Sequence, residues 1–255
     1  MGKPDDWSEF LAEFHTSHAG AISEVLERLR AGDHNPHNWM ARAVSAQAST
    51  IIDVASGSGS MARELAREGR TVVSVDLSVA ELAIAAGSGP VVRADGLRLP
   101  FADESADVVT SSMGLAVITP ATQVLAEMAR VLRPGGVLVA MGPTVRPFKP
   151  SDVLEVGALI GAMRGRPRVP GVLERIGLAE ALPAAGLHKV EDARQRYGFT
   201  VANRADAELV MSALYLTSDA AAGQVAAGVE HLVARVEQRG TVVLPVPMRR
   251  LVAIK

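Results

Sequence analysis

The sequence has no cysteine, which removes disulfides, thiolate metal sites and cysteine nucleophiles from consideration. It also lacks any run of about 18 or more uncharged apolar residues. Although 48% of the chain is hydrophobic, no segment is therefore suited to span a bilayer. A cationic start followed by an apolar stretch is missing too, because Asp5, Asp6 and Trp7 stand where an export signal would need them, so cytoplasmic residence is expected. Nor is there an excess of positive charge. The formal net charge is −2, without the global positive field that drives nucleic-acid binding. The one basic cluster, Arg164, Arg166 and Arg168, is interleaved with Gly165, Pro167 and Pro170, and reads as a solvated loop or, alternatively, a site for an anionic substrate. Six histidines remain; His34 and His37 sit three apart but lack further ligands nearby, and both read as loop histidines with no metal. The expected partner is a small molecule, with no nucleic acid and no membrane, and a homodimer is left open.

What is present is enough apolar sequence for a full core, and 255 residues fit one large α/β domain with additions better than two independent domains. Trp7, Phe10, Leu11, Phe14, Ile22, Val25, Leu26 and Leu29 recur at helical spacing, so residues 5–31 are expected to be helix, broken near Gly20. After a turn at 32–36 a short helix is expected at 39–46, and residues 1–46 together read as a helical annex or cap. From residue 47 the pattern is that of a second unit reaching 255. Strands are expected at 51–55, 71–75, 91–94, 106–111 and 137–141, with helices at about 60–68, 78–87 and 120–132 between them, which indicates a parallel sheet covered on both faces. Helices at about 151–163, 172–184, 204–216 and 219–238 follow, with two more strands at 187–201 and 241–254. Segment 203–239 then reads as a helical insertion before the last strand. Pro245 and Pro247 place their part of that strand at an end or an edge, and 143–150 marks the departure from the core.

The strongest chemical signal is Asp53-Val-Ala-Ser-Gly57-Ser-Gly59, at the end of the first strand and opening a helix near Ser60. Glycines let backbone approach a ligand, and a helix N-terminus offers unpaired N–H groups. Gly57-x-Gly59-x-x-Ala62 also satisfies the dinucleotide fingerprint, with Asp76 about 20 residues on. Asp53 separates the readings. Beside a pyrophosphate it would be a like charge costing roughly 4 kcal/mol at about 4 Å. S-adenosylmethionine reverses the sign, because it carries an ammonium and a cationic sulfonium. Asp76, ending the second strand, can accept both ribose hydroxyls. Asp95-Gly96, ending the third, can accept from the adenine amino group. Each Asp taken alone could instead cap the helix or turn after its strand.

In that order the segments Ile51-Ile-Asp-Val-Ala-Ser-Gly-Ser-Gly59, Val75-Asp76, Asp95 with Leu99-Pro100-Phe101, Ala106-Asp107-Val-Val-Thr-Ser111 and Arg130-Val-Leu-Arg-Pro-Gly-Gly136 resemble the class I S-adenosylmethionine-dependent methyltransferases of the UbiE-like, type 11 kind. The resemblance covers about residues 50–142. It implies a doubly wound, mostly parallel seven-stranded sheet in the order 3-2-1-4-5-7-6, with helical cap additions. It also implies that Asp53, Ala55, Ser56, Gly57 and Gly59 line the methionine end, that Asp76 and Leu77 hold the ribose and Asp95 and Gly96 the adenine, and that Ser112 and Met113 face the sulfonium. Ala55 departs from the pattern, which usually has glycine there; alanine resists positive φ.

Methyl transfer to a reactive nucleophile needs in-line placement and little else. The fourth-strand end, Thr110-Ser-Ser-Met-Gly114, lacks the Asn/Asp-Pro-Pro-aromatic signature of nucleobase methylation. It also lacks an acidic magnesium cluster, since Asp107 opens the strand on the far side. A small organic O, N or C acceptor and a metal-independent reaction are expected. His15, His18 and His188 are the available general bases, with His18 the foremost and ordinary surface histidine the competing reading of each. Trp39 is either a cofactor contact or an anchor for its helix. Phe10, Phe14, Leu209, Met211 and Leu214 either line an acceptor pocket or pack the helices together. The alternatives are a methyltransferase-like subunit that holds the cofactor and assists a partner, and a dinucleotide-binding protein.

Overall fold

The computed structural model describes residues 7–168, 178–217 and 220–255. Seven strands form one sheet in the order β3-β2-β1-β4-β5-β7-β6. β1 (Thr50–Val54), β2 (Thr71–Asp76), β3 (Val91–Arg93), β4 (Ala106–Ser112) and β5 (Leu132–Pro143) run parallel. β7 (Val242–Ile254) inserts antiparallel between β5 and β6 (His188–Val201). The parallel strands alternate with α4 (Ser60–Leu65), α5 (Val79–Ala85), a one-turn α6 (Gly114–Val117) and α7 (Ala121–Val131). A parallel neighbour can be reached only by a crossover, and helices supply it.

Side chains alternate across the strands, so the sheet has two cores. Ile51, Val108, Val139 and Met141 point to one face and Ile52, Val54, Val109, Leu138 and Ala140 to the other. The second face is covered by α7 and α9 (Leu178–Ala184). The first is covered by α2 (Ala21–Arg28), α3 (Pro36–Ala41), α4, α8 (Pro150–Met163), α10 (Arg204–Ser212) and α11 (Ala221–Arg239). The N-terminal helices thus contribute Val25, Leu26, Leu29 and Met40 to the central core. α1 (Trp7–Ser17) lies against α5. No helix among the described residues is long and apolar enough to cross a membrane.

Several boundaries move for local reasons. The third helix starts at Pro36 rather than 39, because Asn35 and Asn38 form a reciprocal capping box and Pro36 is preorganised for the first turn. It ends at Ala41, short of 46. His37 is therefore buried on a helix and not a loop histidine. β5 begins at Leu132 rather than 137, taking in residues 133–136; Arg133 leaves it to pair with Asp107. Of the helix expected at 172–184, residues 172–177 lie outside the described residues, as does residue 219.

Pro245 and Pro247 occupy the part of β7 that extends beyond β5, where only β6 is a full neighbour. The Pro247 carbonyl accepts from Thr144 N at 3.0 Å, so its missing N–H falls on that open side. Opposite Pro245, Gly198 turns its own N–H and C=O outward to Arg30, exchanging two bonds of 2.9 and 3.0 Å that cap the outer edge of β6.

Candidate active site

In a parallel sheet the carboxyl ends of the strands lie at one edge, and here that edge gathers Asp53 and the loop after it, Asp76, Asp95 and Ser112. Asp53 points to the first face, 1% exposed. Its Oδ1 accepts from Thr110 Oγ1 at 2.6 Å, while Oδ2 is buried with no partner among the described residues. Burial pushes its carboxyl up to about 7, against the Thr110 hydroxyl and with help from the charge of Asp76. Ser56 Oγ and Ser111 Oγ are likewise buried without partners. Buried polar atoms normally find partners, and these oxygens, near the carboxyl ends of β1 and β4, have none among the described residues.

The loop itself is left-handed at three points, with φ of 54° at Ala55, 52° at Gly57 and 79° at Gly59. Ala55 therefore takes the conformation it resists, and Gly114 accommodates it: a β-carbon at 114 would lie 2.9 Å from the Ala55 methyl and 2.3 Å from Ser111 Oγ. At Gly59 a β-carbon would meet that of Ala85 at 3.0 Å, so glycine lets the loop close onto α5. The Gly57 N–H donates to Asp76 Oδ2 at 2.8 Å and the Ser78 N–H to Oδ1 at 2.9 Å. Burial nevertheless raises the Asp76 carboxyl above its ordinary range. Leu77, 56% exposed, follows it on the surface. Asp95 is exposed and its Oδ1 accepts from Leu97 N at 2.9 Å, in a turn that buries Gly96 against Ile118 and Val54. Met113, at φ 71°, donates its N–H to Met141 O at 2.7 Å, which fixes the end of β4.

The histidines redistribute. His18 is exposed and stacked on Phe14 with ring centroids 4.8 Å apart. His188 pairs with Ile254 at the opposite end of the sheet from the crevice, which removes it as a base. His15 is held in a network: Nδ1 lies 3.0 Å from Glu81 Oε1 and Nε2 3.0 Å from Tyr215 Oη, while Gly20 N donates to Glu81 Oε2 at 3.1 Å. A carboxylate can only accept, so Nδ1–H donates to Glu81, and in the neutral ring Nε2 accepts from the phenol. Burial and the charges of Glu81 and Asp76 raise the Tyr215 hydroxyl. His37 sits beside Ser112, Nε2 3.5 Å from its hydroxyl, with Nδ1 buried and unpartnered. Burial lowers it to about 4, opposed by Glu27 and assisted by Arg63. Sequence spacing put His37 next to His34; only the capping box at Asn35 could have signalled that it lies on a helix. Glu81 carried no motif and was not anticipated.

The remaining alternatives resolve toward packing. Trp39 stacks under Arg250, whose guanidinium carbon is 4.4 Å from its ring centroid, and anchors α3. Phe14 meets Tyr215 at 4.6 Å, and Met211 is fully buried in the first core, with Leu209 and Leu214 packed against that core. Asp107 opens β4 at the far end as expected; against its desolvation, the N–H groups of Thr50 and Ser49, the Ser49 hydroxyl and Arg133 hold it down to about 2. No cluster of three or more metal-ligating side chains occurs among the described residues.

The glycine loop, three acidic strand ends and this strand order coincide with a match of residues 52–140 to the family described as Methyltransferase domain. Over residues 52–140 the chain is similar to methyltransferase domains. Similar curated proteins are the demethylmenaquinone methyltransferases of Beutenbergia cavernae, 42% identical over 107 residues, and Mycobacterium sp. (strain KMS), 44% identical over 102 residues. These alignments cover 41% and 38% of this chain, and the chain spans 45% and 44% of those relatives. Solved structures extend the likeness of fold to the annex and the C-terminal helices. Haemonchus contortus phosphoethanolamine N-methyltransferase 2, in complex with phosphomonomethylethanolamine and S-adenosylhomocysteine, has a TM-score of 0.58 at 16% identity, over 98% of this chain and 60% of that one. The cyclase SpnF scores 0.58 at 16% identity over 96% and 93%. The fold is thus shared by a protein named for methyl transfer and by one named for other chemistry.

Proposed function

We propose that the chain is an S-adenosylmethionine-dependent methyltransferase acting on a small organic acceptor without a metal. The observation that carries the reading is Asp53 Oδ2, a buried, unpartnered carboxylate oxygen beside a left-handed glycine loop. It fits an ammonium and opposes a pyrophosphate, and the Gly57 N–H that a dinucleotide phosphate would need is taken by Asp76. When bound, the cofactor supplies an electrophilic methyl group on a cationic sulfur. Asp53, with Ala55, Ser56, Gly57 and Gly59, would hold its amino acid end. Asp76 with Leu77 would hold the ribose, Asp95 with Gly96 the adenine, and Ser112 and Met113 would border the reacting side. Residues 1–46 and the insertion at 203–239 form the cap in this reading. Support comes from Tyr215, which joins α1 to the segment after α10 through His15 and Phe14, and from the Arg28–Asp206 ion pair between α2 and α10.

Two outcomes test the assignment. Asp76→Ala is expected to weaken S-adenosylhomocysteine by one to two orders of magnitude in calorimetric titration, since hydrogen bonds to a charged group contribute about 1.5 to 3 kcal/mol each. Unchanged affinity removes Asp76 from the ribose site. Within this reading His37 replaces His18 as the group placed to take a proton from the acceptor. With its imidazole neutral down to about pH 4, kcat should show no acidic limb near the ordinary histidine value of about 6.5. His37→Gln should lower kcat about tenfold or more with cofactor affinity unchanged. A limb near that value that disappears in His18→Gln would return the role to His18. A labelled-methyl screen over demethylmenaquinone, phenols, amines and carboxylic acids identifies the acceptor, and cofactor binding with no turnover on any of them would favour a subunit that assists a partner.

A further inference from the structure

Leaving β5 at the crevice edge of the sheet, the chain exposes every residue from Val145 to Ser151 and then forms α8. The inner face of α8 is well served. Leu159 and Met163 enter the core, Asp152 is buried in a two-pronged pair with Arg196 at 2.6 Å, and Glu155 pairs with Arg235 and Arg239. The outer face is apolar and uncovered: Val153 is 60% and Leu154 75% exposed, with Gly157, Ala158 and Gly161 continuing the strip. Val145, 59% exposed, and Phe148 extend it on the approach. An apolar helix face in water calls for a partner.

Charge indicates which partner. Exposed Arg146 and Lys149 precede the strip and exposed Arg164 and Arg166 follow it, about 20 Å apart along a 14-residue helix. Between residues 145 and 168 the only acids are Asp152 and Glu155, both tied to arginines. In a chain of net charge −2 this stretch is therefore locally cationic at both ends of an apolar row. Gly157, Ala158 and Gly161 carry no protruding side chain, so the face between the cations is shallow. Cations flanking a flat apolar helix face are the arrangement that lies in the plane of an anionic bilayer surface.

We propose that the outer face of α8, with Val145, Phe148 and the flanking arginines and lysine, docks the protein on an anionic lipid surface. This reaches beyond methyl transfer and does not depend on it. It gives a role to Arg164 and Arg166 of the basic cluster, which by sequence reads as a solvated loop or a site for an anionic substrate. It also departs from the expectation of no membrane partner. The crevice and α8 share one edge of the sheet, so docking would bring the site near the lipid.

Sedimentation with extruded vesicles tests this on the full chain. Equimolar phosphatidylglycerol and phosphatidylcholine vesicles should bind the protein at least about tenfold more tightly than phosphatidylcholine alone, and added salt should weaken the difference. Leu154→Glu and the double substitution Arg164→Glu, Arg166→Glu each change exposed side chains and should each lose about tenfold or more, with thermal melting unchanged. Equal binding by the variants, or no binding to anionic vesicles, overturns the proposal. So does a wild-type dimer that Leu154→Glu converts to monomer without any vesicle binding, which would give the face to a second copy of the chain.

Discussion

Asp53→Asn is expected to stabilise the ligand-free protein near pH 8 and to loosen its hold on S-adenosylhomocysteine. Burial pushes the folded carboxyl up to about 7, from the ordinary aspartate value of 3.8. Between those values the folded state keeps a proton that the unfolded state has released, so stability falls as pH rises through that window. The full cost is present above it, of order 4 kcal/mol. Asparagine carries no charge and keeps the carbonyl that accepts from Thr110 Oγ1, but it places an unpartnered amide where Oδ2 stood, which costs about 1 to 3 kcal/mol. The net gain near pH 8 is about 1 to 3 kcal/mol, a rise in Tm of several degrees at roughly 2 to 4 °C per kcal/mol. Near pH 4, where the folded carboxyl is already neutral, the sign reverses and the variant melts lower. Affinity for S-adenosylhomocysteine, which keeps the ammonium, should drop more than tenfold in the variant. A Tm difference that does not change with pH would mean that the buried oxygen already has a partner in solution. Stability gained together with unchanged affinity would move the ammonium elsewhere.

Leu29→Ala is expected to destabilise the whole molecule by about 2 to 5 kcal/mol, the range for a large-to-small change at a fully buried site. Leu29 is 0% exposed and shares the first core with Met40, Ile51, Tyr197, Phe199 and Leu232. The next residue, Arg30, closes the edge of β6 through Gly198. Urea unfolding followed by circular dichroism and by tryptophan fluorescence should shift together, because Trp39 packs on the same core. If only a subtransition moved while the sheet kept its midpoint, α2 would be a separable lid. The same reasoning predicts that removing residues 1–30 unfolds the chain rather than merely opening the crevice. Motion in the cap is then confined to α1, which packs against α5 and Tyr215, and hydrogen exchange should slow there when S-adenosylhomocysteine binds.

Much of this architecture is legible in the sequence because its signals are local. Short apolar runs of strand length mark β1 and β2, and a 3.6-residue period marks α1, α2 and α11; neither needs knowledge of what packs against it. The order of the last two strands came from family resemblance, not from periodicity. The acidic strand ends were readable for a similar reason: a parallel sheet delivers the residue after each strand to one edge whatever the loops do. Pairings distant in sequence were not readable. Glu81 joins His15 and Gly20 across more than sixty positions, and Tyr215 reaches His15 across 200.

By itself, then, the sequence determined the alternation of strand and helix, the glycine loop and the carboxylates at the strand ends, because backbone preference and period act over a few residues. Only the tertiary structure decided the rest. It buried Asp53 without a second partner, drew His37 out of an apparent loop to the side of Ser112, made α2 and α3 part of the core and left α8 with an uncovered face. Each of these depends on which surfaces meet once the sheet is closed, and burial, which sets both a pKa and the need for a partner, is a property of the assembled neighbourhood and not of the segment.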